Sequence, residues 1–339
     1  DARALTEKDV SQIGEALKQR SDQPEQAGNL HFALGIAHDT KGRAEQAFEQ
    51  FAAGNRLRRV AQPYEAQSIT SQVDRYLEAL SESPEPSNRT IDAADPTPIF
   101  VLGMPRAGST LVERMLGRHS NVEALGELSI VPHMVDRVRN DAGEDKLERT
   151  IAGLTEPALA SMGQWYIARA KERMNSKSAF FVDKLHMNWR HLPLILRMLP
   201  QARIIDIRRV AMDCCWSNFK TLFARGHPAA SDLSDIGQFY SDYVRQTDTL
   251  AQRYPGRIHL QRYEKLVDSI GVEGDAMFAA MAIPFETQVL EFHLSQDPVA
   301  TASSEQVRKP LNRKGIDAWK AYEPWLGPLR DALGGLASV

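Results

Sequence analysis

Gly103-Met104-Pro105-Arg106-Ala107-Gly108-Ser109-Thr110 is the stretch on which the reading of this 339-residue chain turns. Before it runs Ile99-Phe100-Val101-Leu102, a short apolar run between Pro98 and Gly103, which reads as a buried strand. After it, Leu111, Val112, Met115 and Leu116 recur at helical spacing. A strand, a glycine-bearing loop and a helix make a cradle for a phosphate-like anion, because loop N–H groups and the helix N-terminus all attract negative charge. The loop nearly matches the G-x-x-x-x-G-K-[ST] pattern of nucleotide triphosphate sites, but Ser109 stands where the lysine belongs. Its cation is Arg106, inside the turn, which suits a terminal anion gripped by a guanidinium fork.

Working outward, Ala179 to Asp183, Ala202 to Ile207 and Ile258 to Tyr263 read as three further strands. They alternate with helical patterns at Val131 to Lys177, Leu192 to Leu199, Val210 to Leu222 and Ile236 to Tyr254. Such alternation predicts an α/β fold, a P-loop-like parallel sheet with helices on both faces, whose ligands sit at the carboxyl ends of the strands. Upstream the chain is helical. Thr6 and Asp9 form an imperfect capping box, and Leu30 to His38 and Ala44 to Arg58 flank a turn at Lys41-Gly42-Arg43. Leu34, Gly35, Ala47, Phe51 and Gly54 resemble the signature positions of one tetratricopeptide repeat; a plain helical hairpin fits almost as well. A lone repeat cannot bury its own face, so it is expected either to dock on the domain C-terminal to it or to be the end of a longer array. Pro63 is expected to start a further helix carrying Ile69, Val73, Tyr76, Leu77 and Leu80. A proline- and serine-rich stretch from Ser81 to Asn88 sets the expected division: a helical segment at 1–85, a linker at 86–97 and an α/β domain at 98–339.

Hydrophobic content of 42% and charged content of 25% are ordinary for a globular chain, and a net charge of −3 argues against a general nucleic-acid partner. No apolar run approaches a membrane span and none reads as a leader, so neither a membrane nor an export route is expected. Cys214 and Cys215 are adjacent and cannot easily bond to each other; this predicts buried helix positions and a reducing, cytoplasmic setting.

Pro105-Arg106-Ala107-Gly108-Ser109-Thr110-Leu111 resembles the 5′-phosphosulfate loop of sulfotransferases, P-[RK]-[SA]-G-[ST]-[ST]-L. Four more features carry the resemblance across roughly Pro98 to Trp325, and they point to the branch of tyrosylprotein and bacterial repeat-bearing sulfotransferases. The resemblance implies that the donor is 3′-phosphoadenosine 5′-phosphosulfate (PAPS), leaving as 3′-phosphoadenosine 5′-phosphate (PAP), without a metal. It implies that Pro105, Arg106, Ala107, Gly108, Ser109 and Thr110 hold the 5′ end of the donor. Arg209 and Ser217, eight residues apart, would bind the 3′-phosphate, although Arg208 leaves the register open by one. Gly126-Glu127 lies 21 residues beyond Arg106 and resembles the family's catalytic glutamate, a carboxylate able to take the acceptor's proton. Lys184, at the end of the second strand, would assist the leaving group. Lys184-x-His186 resembles the cytosolic small-molecule branch, in which that histidine is the base, so two candidate bases stand open, with Glu127 favoured. Tyr263 in Tyr263-Glu264-Lys265-Leu266 would contact adenosine. Ser303-Ser304-Glu305-Gln306-Val307-Arg308-Lys309-Pro310-Leu311-Asn312 matches S-x-x-Q-V-x-K-P-x-N, which implies a basic lid with Ser303, Arg308 and Lys309 on the donor. Arg313-Lys314-Gly315 resembles a second basic motif of the cytosolic branch, one residue short.

The expected reaction is sulfuryl transfer to an acceptor hydroxyl: a peptide or protein tyrosine by branch, carbohydrate or a small molecule by chemistry. Two other readings differ in class. A nucleotide-dependent phosphotransferase would use the P-loop-like cradle with Mg-ATP, against which the missing lysine speaks. A non-catalytic repeat-bearing interaction protein would leave the cluster of candidate site residues without purpose. The sequence leaves the oligomeric state open.

Overall fold

Ile99, Phe100, Val101 and Leu102 are wholly buried, and the strand they build, β1 (Thr97–Gly103), lies at the centre of the sheet in a computed structural model of the chain. The structure describes residues 5–20, 22–82, 94–143, 146–223, 227–294 and 311–338. The other strands are β2 (Val122–Ala124), β3 (Phe180–Asp183), β4 (Arg203–Arg208) and β5 (Ile258–Arg262). All pair in parallel in the order β2-β3-β1-β4-β5. Strands covered on both faces need no alternation, which is why β1 reads as a continuous apolar run.

The described chain falls into two compact units: Thr70–Arg209 with Asp242–Arg313, and Asp1–Ile69 with Val210–Ser241 and Lys314–Val339. The first unit holds the sheet. Ile99, Val101, Val182, Ile205 and Ile207 face the helices Ser109–Gly117 and Ile270–Ala280 in one core. On the opposite face Tyr166, from the helix Glu156–Lys171, packs on Phe100 and Phe181. The order in which the strands are laid down reverses between β1 and β4. At such a switch point the loops leaving the two strands diverge and open a crevice at their carboxyl ends. Gly103 and Ile207 are register partners there.

The second unit is helical. Helices Pro24–Thr40 and Ala44–Ala61 form a hairpin. Phe51 closes on Gly35 and Phe32 closes on Gly54: a Cβ on either glycine would come within 3.0 Å of the facing ring. The helix Ala211–Phe219 docks on this hairpin. Its Trp216 meets Phe51 edge-on and Tyr322 at 4.1 Å between ring centroids, and Asn55 donates to the Phe219 carbonyl at 2.8 Å. Cys214 and Cys215 are fully buried free thiols on that helix, as their apolar neighbours predict. Asp213 accepts from the backbone N–H groups of Asp317 and Trp319, tying in the C-terminal turns.

One local expectation is met and one changes. The capping box at Thr6 and Asp9 forms in full, starting the helix Glu7–Gln19. The helix assigned to Pro63 begins later, at Ala66; proline's fixed φ suits an extended approach as well as a first turn. The strand β2 has no counterpart in the sequence reading, because Val-Glu-Ala is too short to show a period.

Candidate active site

The anion loop forms because its backbone enters regions that most residues avoid. Gly103 has φ +146° and Gly108 has φ +108°, and a Cβ on Gly108 would stand 2.6 Å from the Tyr263 ring. Arg106 takes φ +67°, a left-handed conformation costing an L-residue about 1–2 kcal/mol. Strain of this kind concentrates where binding requires it. Gly108 precedes the helix Ser109–Gly117, whose first-turn N–H groups lack intrahelical acceptors by construction. Pro105 and Ala107 complete the turn, and Ser109 and Thr110 are buried at the helix start.

Across the crevice, Arg209 follows β4. It donates to the Arg106 carbonyl at 3.3 Å, and its guanidinium lies 5.6 Å from the Tyr263 ring centroid. Tyr263 begins the helix Tyr263–Asp268 just after β5. Packing turns the neighbouring Arg208 and Arg209 in different directions. Arg208 points back into the protein, donating to Asp206 at 2.8 Å, to Thr247 at 2.7 Å and to Asp248. Burial alone would lower the Arg208 pKa, but Asp206 and its neighbours outweigh it and raise it. Arg209 is the one turned to the loop.

A second cluster sits at the ends of β2 and β3. The Leu125 N–H donates to the Val182 carbonyl at 3.0 Å and the Lys184 N–H to the Gly126 carbonyl at 2.9 Å, laying Gly126-Glu127 along the end of β3. Lys184 then places its ammonium 2.7 Å from Glu127 Oε1. Lys184 is buried, whereas the Glu127 side chain is 41% exposed. His186 starts the turn after β3 and senses both; burial pushes its pKa down to about 4, Glu127 opposing and Lys184 adding to the shift.

Two acids that the sequence reading passed over complete this cluster. Glu113, on the helix after the loop, approaches Lys184 to 3.7 Å. Asp183 is fully buried; burial raises its pKa to about 7, against hydrogen bonds from the Tyr166 hydroxyl at 2.9 Å and the Leu128 N–H. The available signal was weak: an acid inside an apolar helix and an acid ending an apolar strand.

The raised pKa of Asp183 has a testable sign. A group that binds its proton more tightly when folded stabilises the fold fully below its unfolded value near 3.8, and that contribution is lost as pH rises through about 7. Asp183→Asn, which cannot ionise, therefore gains about 1–3 kcal/mol over the parent between pH 4 and pH 8. Urea unfolding of both proteins at the two pH values checks this; a difference that shrinks with pH would mean Asp183 is held charged.

Ser217 lies buried on the helix Ala211–Phe219, in the helical unit, and its pairing with Arg209 rests on sequence spacing. Ser303, Arg308 and Lys309 lie outside the described residues.

Residues 98–286, more than half of the chain, match the family model described as the sulfotransferase family. The chain belongs to the sulfotransferase family. Among curated proteins it is 32% identical over 299 residues to an uncharacterized protein of Aquifex aeolicus (strain VF5), covering 85% of this chain and 39% of that one. It is 25% identical over 239 residues to protein-tyrosine sulfotransferase 1 of Danio rerio, covering 67% of this chain and 66% of that one. The chain thus spans less than two thirds of the length of either relative. Among solved structures, the sulfotransferase domain of the Synechococcus PCC 7002 olefin synthase aligns at 23% identity and a TM-score of 0.47, covering 68% of this chain and 90% of that one. No described helix is long and apolar enough to cross a membrane.

Proposed function

We propose that this sulfotransferase moves a sulfuryl group from PAPS to an acceptor hydroxyl by in-line transfer. The observation that carries the reading is the Lys184–Glu127 pair at 2.7 Å, with an exposed carboxylate beside a buried ammonium, on strand ends next to the anion loop. The loop suits the donor's 5′ end: its two glycines let Tyr263 and the end of β4 close on it, and Arg106 and Arg209 supply positive charge. Tyr263, held against Gly108 and Arg209, offers an aromatic face to the adenine. Arg209 and Ser217 would select the 3′-phosphate, and Ser303, Arg308 and Lys309 would cover the donor.

In the proposed step the acceptor oxygen bonds to sulfur as the bond from sulfur to the 5′-phosphate oxygen breaks. The electron pair stays on that oxygen, leaving PAP. Glu127 takes the acceptor's proton. Lys184 offsets the charge building on the leaving oxygen. His186, neutral above about pH 5, contacts the acceptor. No metal has a role in this scheme.

The acceptor is proposed to be a tyrosine of a peptide or protein, supported by the similarity to protein-tyrosine sulfotransferase 1 of Danio rerio. Residues 98–339 are proposed to carry the chemistry and residues 1–85 to form an accessory helical segment, joined by 86–97. A chain with two buried, unbridged thiols fits a reducing, cytoplasmic setting.

Calorimetric titration with PAP in EDTA, beside ADP and Mg-ATP, tests the donor. The expected result is metal-free binding that requires the 3′-phosphate and weakens at least about tenfold in Arg209→Ala. Preference for Mg-ATP would make the protein a phosphotransferase, and no nucleotide binding would make it a non-catalytic partner-binding chain.

A further inference from the structure

The proposed transfer leaves Glu113, a largely buried acid in contact with Lys184, without work. Lys184 Nζ is shared by two carboxylates, Glu127 Oε1 at 2.7 Å and Glu113 Oε2 at 3.7 Å. They come from different elements: Glu127 from the segment after β2, Glu113 from the helix that begins at the anion loop, about one turn past Ser109. Their exposures differ threefold, 41% for the Glu127 side chain against 13% for Glu113, while that of Lys184 is 3%.

Packing does not call for an acid at position 113. Its helix buries Leu111, Val112, Met115 and Leu116 in the sheet core. Burial raises the pKa of Glu113 despite the nearby ammonium, so the carboxylate is held there against its solvation. The ionisable groups around it are Lys184 and Asp183 from the end of β3, Glu127 from the β2 side and Arg114 from its own helix. Of these, Lys184 is the one whose charge it meets directly.

During the proposed transfer Lys184 has two tasks that conflict. It must release Glu127, whose carboxylate is to accept a proton, and it must remain charged and in place beside the leaving oxygen. A buried ammonium that loses its only counter-charge is strongly disfavoured. A second carboxylate on a rigid helix resolves the conflict.

We infer that Glu113 is a positioning residue that anchors the Lys184 ammonium at the end of β3, so that Lys184 can leave Glu127 for the donor's 5′-phosphate oxygen without losing its counter-charge. The inference rests on the proposed donor and base assignments. Because Glu113 belongs to the helix that begins after Gly108, it also ties the position of Lys184 to the anion loop.

The sign of the effect on PAP binding separates this from bulk electrostatics. Removing a negative charge near an anion site should tighten binding; removing an anchor should weaken it. The test is a double-mutant cycle on the whole chain: parent, Glu113→Gln, Lys184→Met and the double variant, each titrated with PAP in EDTA. Glu113→Gln is expected to weaken PAP about tenfold in the parent and to have no effect beside Lys184→Met. Glu113→Asp, which keeps the charge, is expected to stay within about threefold of the parent and guards against a simple folding defect. Tighter binding in Glu113→Gln, or an equal effect in both backgrounds, overturns the inference and leaves the donor assignment standing. Failure of the parent to bind PAP instead overturns the donor assignment, and this inference with it.

Discussion

Glu127→Gln lowers kcat for sulfuryl transfer by about 10³-fold while PAP affinity stays within about twofold of the parent. The substitution keeps the size of the side chain and leaves a carbonyl oxygen to accept from Lys184, so the 2.7 Å contact survives. What is lost is the capacity to hold a proton. A hydroxyl attacking sulfur must shed its proton as the bond forms, and a positioned carboxylate supplies the factor of about 10²–10⁴ typical of general bases. Glu127 has the exposure to meet an acceptor, and Lys184 beneath it has almost none. Single-turnover kinetics with bound PAPS, beside calorimetry with PAP, separate chemistry from binding. A loss under about tenfold would move the role to His186. Burial pushes the His186 pKa down to about 4, so His186 adds no activity limb around pH 6.5; a limb there that persists in Asp183→Asn, which removes the acid held near 7, would mean an ordinary histidine is titrating.

Gly103→Ala is expected to destabilise the fold by about 3–5 kcal/mol, from left-handed backbone strain together with overpacking against main chain. Gly103 ends β1 at φ +146°, and a Cβ placed on it would lie 2.4 Å from the Ile207 carbonyl oxygen of β4. That oxygen belongs to the ladder pairing Gly103 with Ile207, so it cannot swing aside as the tip of a side chain would. Relief requires parting β1 from β4 at the switch point, where Arg209 and the loop converge. Chemical denaturation measures the loss, and PAP binding should fall in the surviving folded fraction. A cost below about 1 kcal/mol would mean that the two strands pair in another register.

Much of the architecture was legible because each signal is local. β1, β3 and β4 announced themselves as largely apolar runs bounded by turn residues, since buried strands tolerate few polar positions, whereas β5 is a partly exposed edge strand with only Ile258 and Leu260 as apolar residues. β2 did not, being three residues long with a glutamate in the middle. The loop from Gly103 to Thr110 was legible because its glycines and Arg106 stand at fixed offsets within one turn. Trp216 on Phe51 was not: nothing local says that a helix after β4 packs on a hairpin some 160 residues earlier, just as Asn55 reaches the Phe219 carbonyl 164 positions on.

The same distinction runs through the site. Sequence alone determined the parallel α/β arrangement, the anion loop with arginine in place of lysine, and the short list of charged residues at strand ends, because periodicity, turn chemistry and motif spacing all act over a few residues. Only the tertiary structure decided which of those charges meet. It turned Arg208 into the protein toward Asp206 and Asp248 and Arg209 toward the loop, although the two are neighbours in the chain. It brought Glu127 onto Lys184 across 57 residues and set Glu113 behind them. Such pairings depend on strand order and on which face of a helix meets the sheet, and they are set by the burial of the whole core, a long-range property that no window of sequence contains.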